Sequence, residues 1–143
     1  VMDSQWVVGT AEVVVAGAPK AYTGALAANT CDLQRIAGPD NVEFIPGADI
    51  LLVAEDSKGH ENNALWAIDV TTGEATRVMT VPLVAEVAGL NWIPDLGGFG
   101  YLTVSIQDPF SDWDDPDWDR RTDVDPRSWA GYIGPFPPFD GAR

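Results

Sequence analysis

Asn41-Val42-Glu43-Phe44-Ile45-Pro46 and Gly89-Leu90-Asn91-Trp92-Ile93-Pro94 carry one pattern twice. Phe44 and Trp92 are 48 positions apart, and so are Pro46 and Pro94. A Gly-containing turn follows each stretch, and then a second apolar run, at 50–53 and at 101–104. A repeat of about 40–50 residues built from short strands is the pattern of β-propeller blades.

Outward from this pair, further β-rich runs occupy 42–45, 50–54, 65–70 and 76–81. Turn residues separate them: Pro46-Gly47-Ala48-Asp49, Lys58-Gly59 and Thr71-Thr72-Gly73. The Asp69-to-Glu74 stretch predicts a tight hairpin. Trp6-Val7-Val8 and residues 12–15 predict a strand pair around Gly9. The expected fold is all-β, a partial propeller of about two and a half four-stranded blades in a single domain over 1–143. Residues 1–16 end one blade, 17–40 form a loop, 41–81 make a full blade, and 82–143 start the next. The last part carries an Asp-rich insertion at 111–125, with seven aspartates, two tryptophans and no strand period. It lacks the glycine at position six that an EF-hand loop requires, since no glycine occurs between Gly100 and Gly131. A small β-sandwich is the competing fold.

So few blades cannot close a ring, and open sheet faces and edges invite association. The expected partners are therefore the missing blades or another protein chain that covers the open faces. The Val-Met start suggests processing or a piece of something longer.

Composition narrows the function classes. The chain has 143 residues, 22 acidic and 8 basic, and a formal charge of −14. Such a balance repels phosphate backbones, so nucleic acid is not an expected partner. No apolar run is long enough to span a membrane, and no signal-peptide pattern is visible. The only cysteine is Cys31 and the only histidine is His60, which rules out an internal disulfide, a zinc-type cysteine cluster and a paired-His metal site. Cys31 reads as a plain buried thiol in a loop rather than a nucleophile, and His60 as a loop hydrogen-bonding residue.

Candidate chemistry lies at strand ends. Asp40 and Asn41 precede one repeated strand, Glu86 precedes the other, and Glu55 and Asp56 leave the strand beside the first. In a propeller these ends gather at one channel mouth, where carboxylate and amide oxygens suit Ca²⁺ or another hard cation. Asp and Asn are also ordinary turn residues. Glu86, between Ala85 and Val87, has no turn duty.

At these residues the chain resembles a known family. Cys31-Asp32 with the 35–41 stretch Arg-Ile-Ala-Gly-Pro-Asp-Asn resembles the opening of a late blade in PhoX-type alkaline phosphatases. Glu55-Asp56 with Gly59-His60-Glu61-Asn62-Asn63-Ala64-Leu65-Trp66 is similar to that family's acidic motif and following strand. Glu86 to Gly89, Ile106-Gln107-Asp108-Pro109 and Tyr132-Ile133-Gly134-Pro135-Phe136-Pro137 resemble three later motifs in the right order. Asp108 stands where the family usually has histidine, and Cys31 is not the family's iron-bridging cysteine.

The resemblance implies a calcium- and iron-dependent phosphomonoesterase in an extracellular, periplasmic or other non-cytosolic compartment. It implies that Asp40, Asn41, Glu55, Asp56 and Glu86 lie in or near the metal cluster, and that the substrate is a phosphate monoester. Most of the family's ligands come from earlier blades, so the chain is expected to be inactive alone. The alternative is a non-catalytic structural or accessory subunit of a larger assembly, derived from such a propeller.

Overall fold

The computed structural model of the chain describes residues 9–110 and 125–138. The Trp6-Val7-Val8 half of the expected first strand pair, and residues 111–124 of the Asp-rich insertion, lie outside them. The described chain is all-β, apart from one 3₁₀ turn at Gly24–Leu26. None of its helices is long and apolar enough to cross a membrane.

The first sheet grows from three successive reversals. β1 (Pro39–Ile45), β2 (Ile50–Glu55), β3 (Ala64–Asp69) and β4 (Ala75–Thr80) pair antiparallel in chain order. The β3–β4 hairpin is set by Asp69, whose Oδ1 accepts the Thr71 and Thr72 N–H groups at 2.8 and 2.9 Å. Gly73 closes the turn with φ 74° and donates its N–H to the Asp69 carbonyl at 2.8 Å. A carboxylate that mimics a backbone acceptor, followed by a left-handed glycine, is how such turns form.

The second sheet holds β5 (Glu86–Ile93), β6 (Gly100–Gln107) and β7 (Trp129–Phe136), also antiparallel in chain order. β5 bulges between Ala88 and Asn91, where Gly89 takes φ 63°. A Cβ on Gly89 would come within 2.8 Å of Ser105 Oγ, so both conformation and space call for glycine there.

Alternation along the strands gives each sheet two faces. Ile45, Leu52, Ala54 and Leu65 of the first sheet meet Val87, Trp92, Leu102 and Val104 of the second in one buried core. Each large apolar side chain buried there contributes about 1.5–3 kcal/mol. The sheets meet where β5 lies against β1 and β2. Glu43 joins them, its Oε1 accepting the Trp92 N–H at 2.9 Å. The opposite face of the first sheet carries Val53, Trp66 and Ile68, and Ile36 and Val15 pack over it. Arg77 holds its guanidinium 4.8 Å above the Trp66 ring.

Neither sheet closes on itself. Two expectations need correction. Residues 12–15 are not a strand: Val13 is exposed, and Val15 reaches the core as part of an irregular segment. β-branched residues form a strand only beside a hydrogen-bonding neighbour, and no described segment pairs with them. Asp40 and Glu86, read as loop residues before their strands, lie inside β1 and β5.

Candidate functional site

The ends of four strands meet at one end of the two sheets. β1 starts beside the end of β2, with Pro39 opposite Glu55, and β5 starts beside the end of β6, with Glu86 opposite Gln107. Gly38 (φ 46°) makes the first approach possible: its carbonyl accepts the Asp56 N–H at 3.1 Å. A Cβ on it would sit 2.7 Å from the Asp56 carbonyl oxygen. The second pair is braced by Leu83, whose carbonyl accepts the Phe110 N–H at 2.8 Å, and by Asn63, whose Nδ2 donates to the Ala85 carbonyl at 3.0 Å.

This convergence brings Asp40, Asp56, Glu86 and Asp108 into one field. Burial raises the Glu86 carboxyl above its ordinary range, and the charges of Asp56, Asp108 and Asp40 raise it further. Asn41 lies next to Asp40 and donates its Nδ2 to the Asp40 carboxylate. Four of the five expected site residues are thus gathered at this rim. Asp108, noted in the sequence only as a departure from a histidine, is the further member.

Glu55 is different. Its side chain points into the face of the first sheet turned away from the second, and it is fully buried. Oε1 accepts the Ala37 N–H at 2.8 Å and the Trp66 Nε1–H at 2.7 Å. Oε2 accepts the Ala64 N–H at 2.9 Å and lies 2.9 Å from His60 Nδ1. His60, also buried, has its other ring nitrogen 3.3 Å from the Asp32 carbonyl oxygen. Both carboxylate oxygens therefore serve two protein partners each, tying β2 to β3, to the 56–63 connection and to the segment entering β1. A cation on Glu55 would have to displace one of these partners.

The chain matches no family model, no curated protein and no solved structure.

The rim has the right donor type for Ca²⁺, since all its groups are oxygens. Among the described residues, however, no three His, Cys, Asp or Glu side chains converge on one point that would hold a metal. The rim carboxylates stand close enough for the charges of Asp56, Asp108 and Asp40 to act on Glu86, so a cation here would need further ligands from outside the described residues. Iron fits less well. His60 is committed to Glu55 and Asp32, and Cys31 Sγ donates to the Ile36 carbonyl at 3.4 Å, so neither of these softer donors faces the rim.

Sequence reasoning missed the Glu55 hub. Its signals were present: an acid and the only histidine five residues apart, with a tryptophan soon after. His60 reads as a hydrogen-bonding residue, as it is, but Glu55 reads as a metal ligand because nothing in the sequence says which face of β2 a strand-end carboxylate occupies.

Proposed function

We infer that the chain is a run of β-propeller blades and that its rim of Asp40, Asn41, Asp56, Glu86 and Asp108 is a cation-binding part of a PhoX-type phosphomonoesterase. The observation that carries the reading is the gathering of these carboxylates from the ends of four strands, with Glu86 pushed up first by burial and then by the charges of Asp56, Asp108 and Asp40. Like charges held together by a fold are stabilised by a cation between them. The propeller reading is supported by the sequential antiparallel order of both sheets and by their contact through β5 on β1 and β2. Calcium is the cation that the oxygen donors suit. Iron, if used, takes its ligands from outside the described residues, and the chain alone does not hydrolyse phosphate monoesters. A non-cytosolic location rests on the resemblance alone.

Titration calorimetry with Ca²⁺ tests the rim. The expected Kd is weak, on the order of 10⁻⁴–10⁻³ M as in extracellular calcium modules. Asp56→Asn and Glu86→Gln should each weaken it at least about fivefold. Absence of binding, or equal affinity in both variants, would sink the reading.

The second reading, a non-catalytic structural subunit, is favoured by one observation: Glu55, at the centre of the acidic motif, serves the fold with both oxygens. Phosphomonoester turnover by any assembly containing the chain, abolished by Glu86→Gln, would exclude it.

A further inference from the structure

A cavity of about 240 Å³ opens between the segment that follows the Gly24–Leu26 turn, the 56–63 connection and β4. None of the rim carboxylates lines it. Its floor holds Asn29 and His60, each 3% exposed. Asn29 Nδ2 donates to the Leu26 carbonyl at 3.1 Å, and its Oδ1 accepts the Glu61 N–H at 2.9 Å. The Glu61 carbonyl in turn accepts the Val84 N–H at 3.0 Å, so the backbone that carries Glu61 is fixed on both sides. The Thr30 and Cys31 N–H groups donate to the Gly59 carbonyl at 3.0 and 3.1 Å, which ties the two walls together.

Two opposite charges line this cavity without pairing. Arg77 of β4 is anchored, with its guanidinium over the Trp66 ring and one N–H donated to the Leu33 carbonyl. The other N–H groups of the guanidinium fork have no protein partner among the described residues. No ion pair among the described residues involves Arg77 or Glu61. In a chain with 22 acidic and 8 basic residues, an arginine is easily neutralised, and this one is left without a carboxylate. Leu26 and Leu33 add an apolar wall.

We propose that this cavity binds a free α-amino acid with an apolar side chain of about leucine size. Arg77 takes the α-carboxylate, Glu61 takes the α-ammonium, and the side chain lies against Leu26 and Leu33. A guanidinium fork matches a planar carboxylate, and a charge-assisted bond at each end selects for both groups. The cavity is smaller than the roughly 300–1,000 Å³ of pockets for drug-sized ligands, which limits the occupant to a small molecule. A simple carboxylate would leave Glu61 unpaired and meet the repulsion of a chain with net charge −14, whereas a zwitterion carries no net charge. This inference does not rest on the cation reading.

Proton–nitrogen NMR titration of the 143-residue chain with L-leucine is the test. Saturable shifts are expected at the amides around Asn29, Glu61 and Arg77, with a Kd on the order of 1 mM. L-Leucinamide, which lacks the carboxylate, and 4-methylpentanoate, which lacks the ammonium, should each bind at least about tenfold more weakly. Glu61→Gln and Arg77→Gln should weaken leucine binding by a similar factor. Glu61→Gln should not weaken 4-methylpentanoate, and Arg77→Gln should not weaken leucinamide, because the ligand group that each residue holds is already missing. Circular dichroism and thermal melts check that both variants fold. Glu61→Gln keeps the test valid if loss of the Trp66 contact unfolds Arg77→Gln, since Glu61 is held through its backbone. Absence of saturable shifts up to about 20 mM leucine overturns the proposal. So does unchanged leucine affinity in Glu61→Gln, or a 4-methylpentanoate affinity equal to that of leucine, which would assign the cavity to simple carboxylates.

Discussion

At the scale of single residues, Glu55 is the side chain on which the first sheet depends most. A buried carboxylate is tolerated only where its lone pairs are occupied, and the four partners of Glu55 meet that condition. Gln in its place keeps the shape but turns one acceptor into a donor facing donors, whichever way the amide is flipped. Glu55→Gln should therefore lower the unfolding free energy by about 3 kcal/mol. Asp56→Asn, next along the chain and exposed, should change it by less than about 0.5 kcal/mol. Urea unfolding of both variants checks this, and equal losses would show that the four bonds do not matter to stability. The position of Glu55 beside an acidic neighbour and near the only histidine was legible in the sequence. Its burial was not, because one residue of register moves a strand side chain from rim to interior.

At the scale of elements, the turns were the legible part. Asp69 followed by Thr71-Thr72-Gly73 predicts a hairpin, and Asp69 and Gly73 do the work expected of them. Gly73 holds φ 74°, and a Cβ there would lie 3.1 Å from the Val14 carbonyl oxygen. Gly73→Ala should cost about 1–2 kcal/mol through the left-handed backbone alone. Gly73→Asn should cost less, since Asn enters that region more readily. Thermal melts of the two variants give the order, and an Ala variant as stable as wild type would mean that the hairpin relaxes to another turn. Residues 12–15 mark where element reading fails. Val13-Val14-Val15 has strand composition without a described strand partner, and pairing is not a local property.

At the scale of the whole molecule, the net charge of −14 couples stability to pH in two opposed ways. Glu86 is raised above 4.5, so its charge works against the fold at neutral pH, and stability should rise as pH falls through its folded-state value. Asp32, Asp69 and Asp125 are lowered below 3.8: Asp32 by the Gln34 N–H and Lys20, Asp69 by the Thr72 and Thr71 N–H groups, and Asp125 to about 2 by Arg127. Their contribution holds above 3.8 and is lost as pH falls through their folded-state values. The melting temperature should therefore climb from neutral pH toward about 4.5 and fall below about 3.8. Glu86→Gln should flatten the upper limb and leave the acid limb unchanged. A wild-type upper limb that is already flat, or one that the variant leaves intact, would remove the rim's role in stability.

What the sequence determined by itself was local or periodic. The 48-residue echo, the alternation within each run and the turn chemistry imply short antiparallel strands in successive sheets, because each is a property of neighbours along the chain. The tertiary structure decided what depends on distant parts meeting. It turned Glu55 inward to Trp66 and His60, and brought Asp108 to the rim with Asp40, Asp56 and Glu86. It also set Trp92 beneath the first sheet and left Phe44 bare, although the echo makes them equivalent. Equivalent residues in a repeat receive the same local structure, but only one of them has another sheet on top of it, and burial belongs to the pair of sheets rather than to the strand.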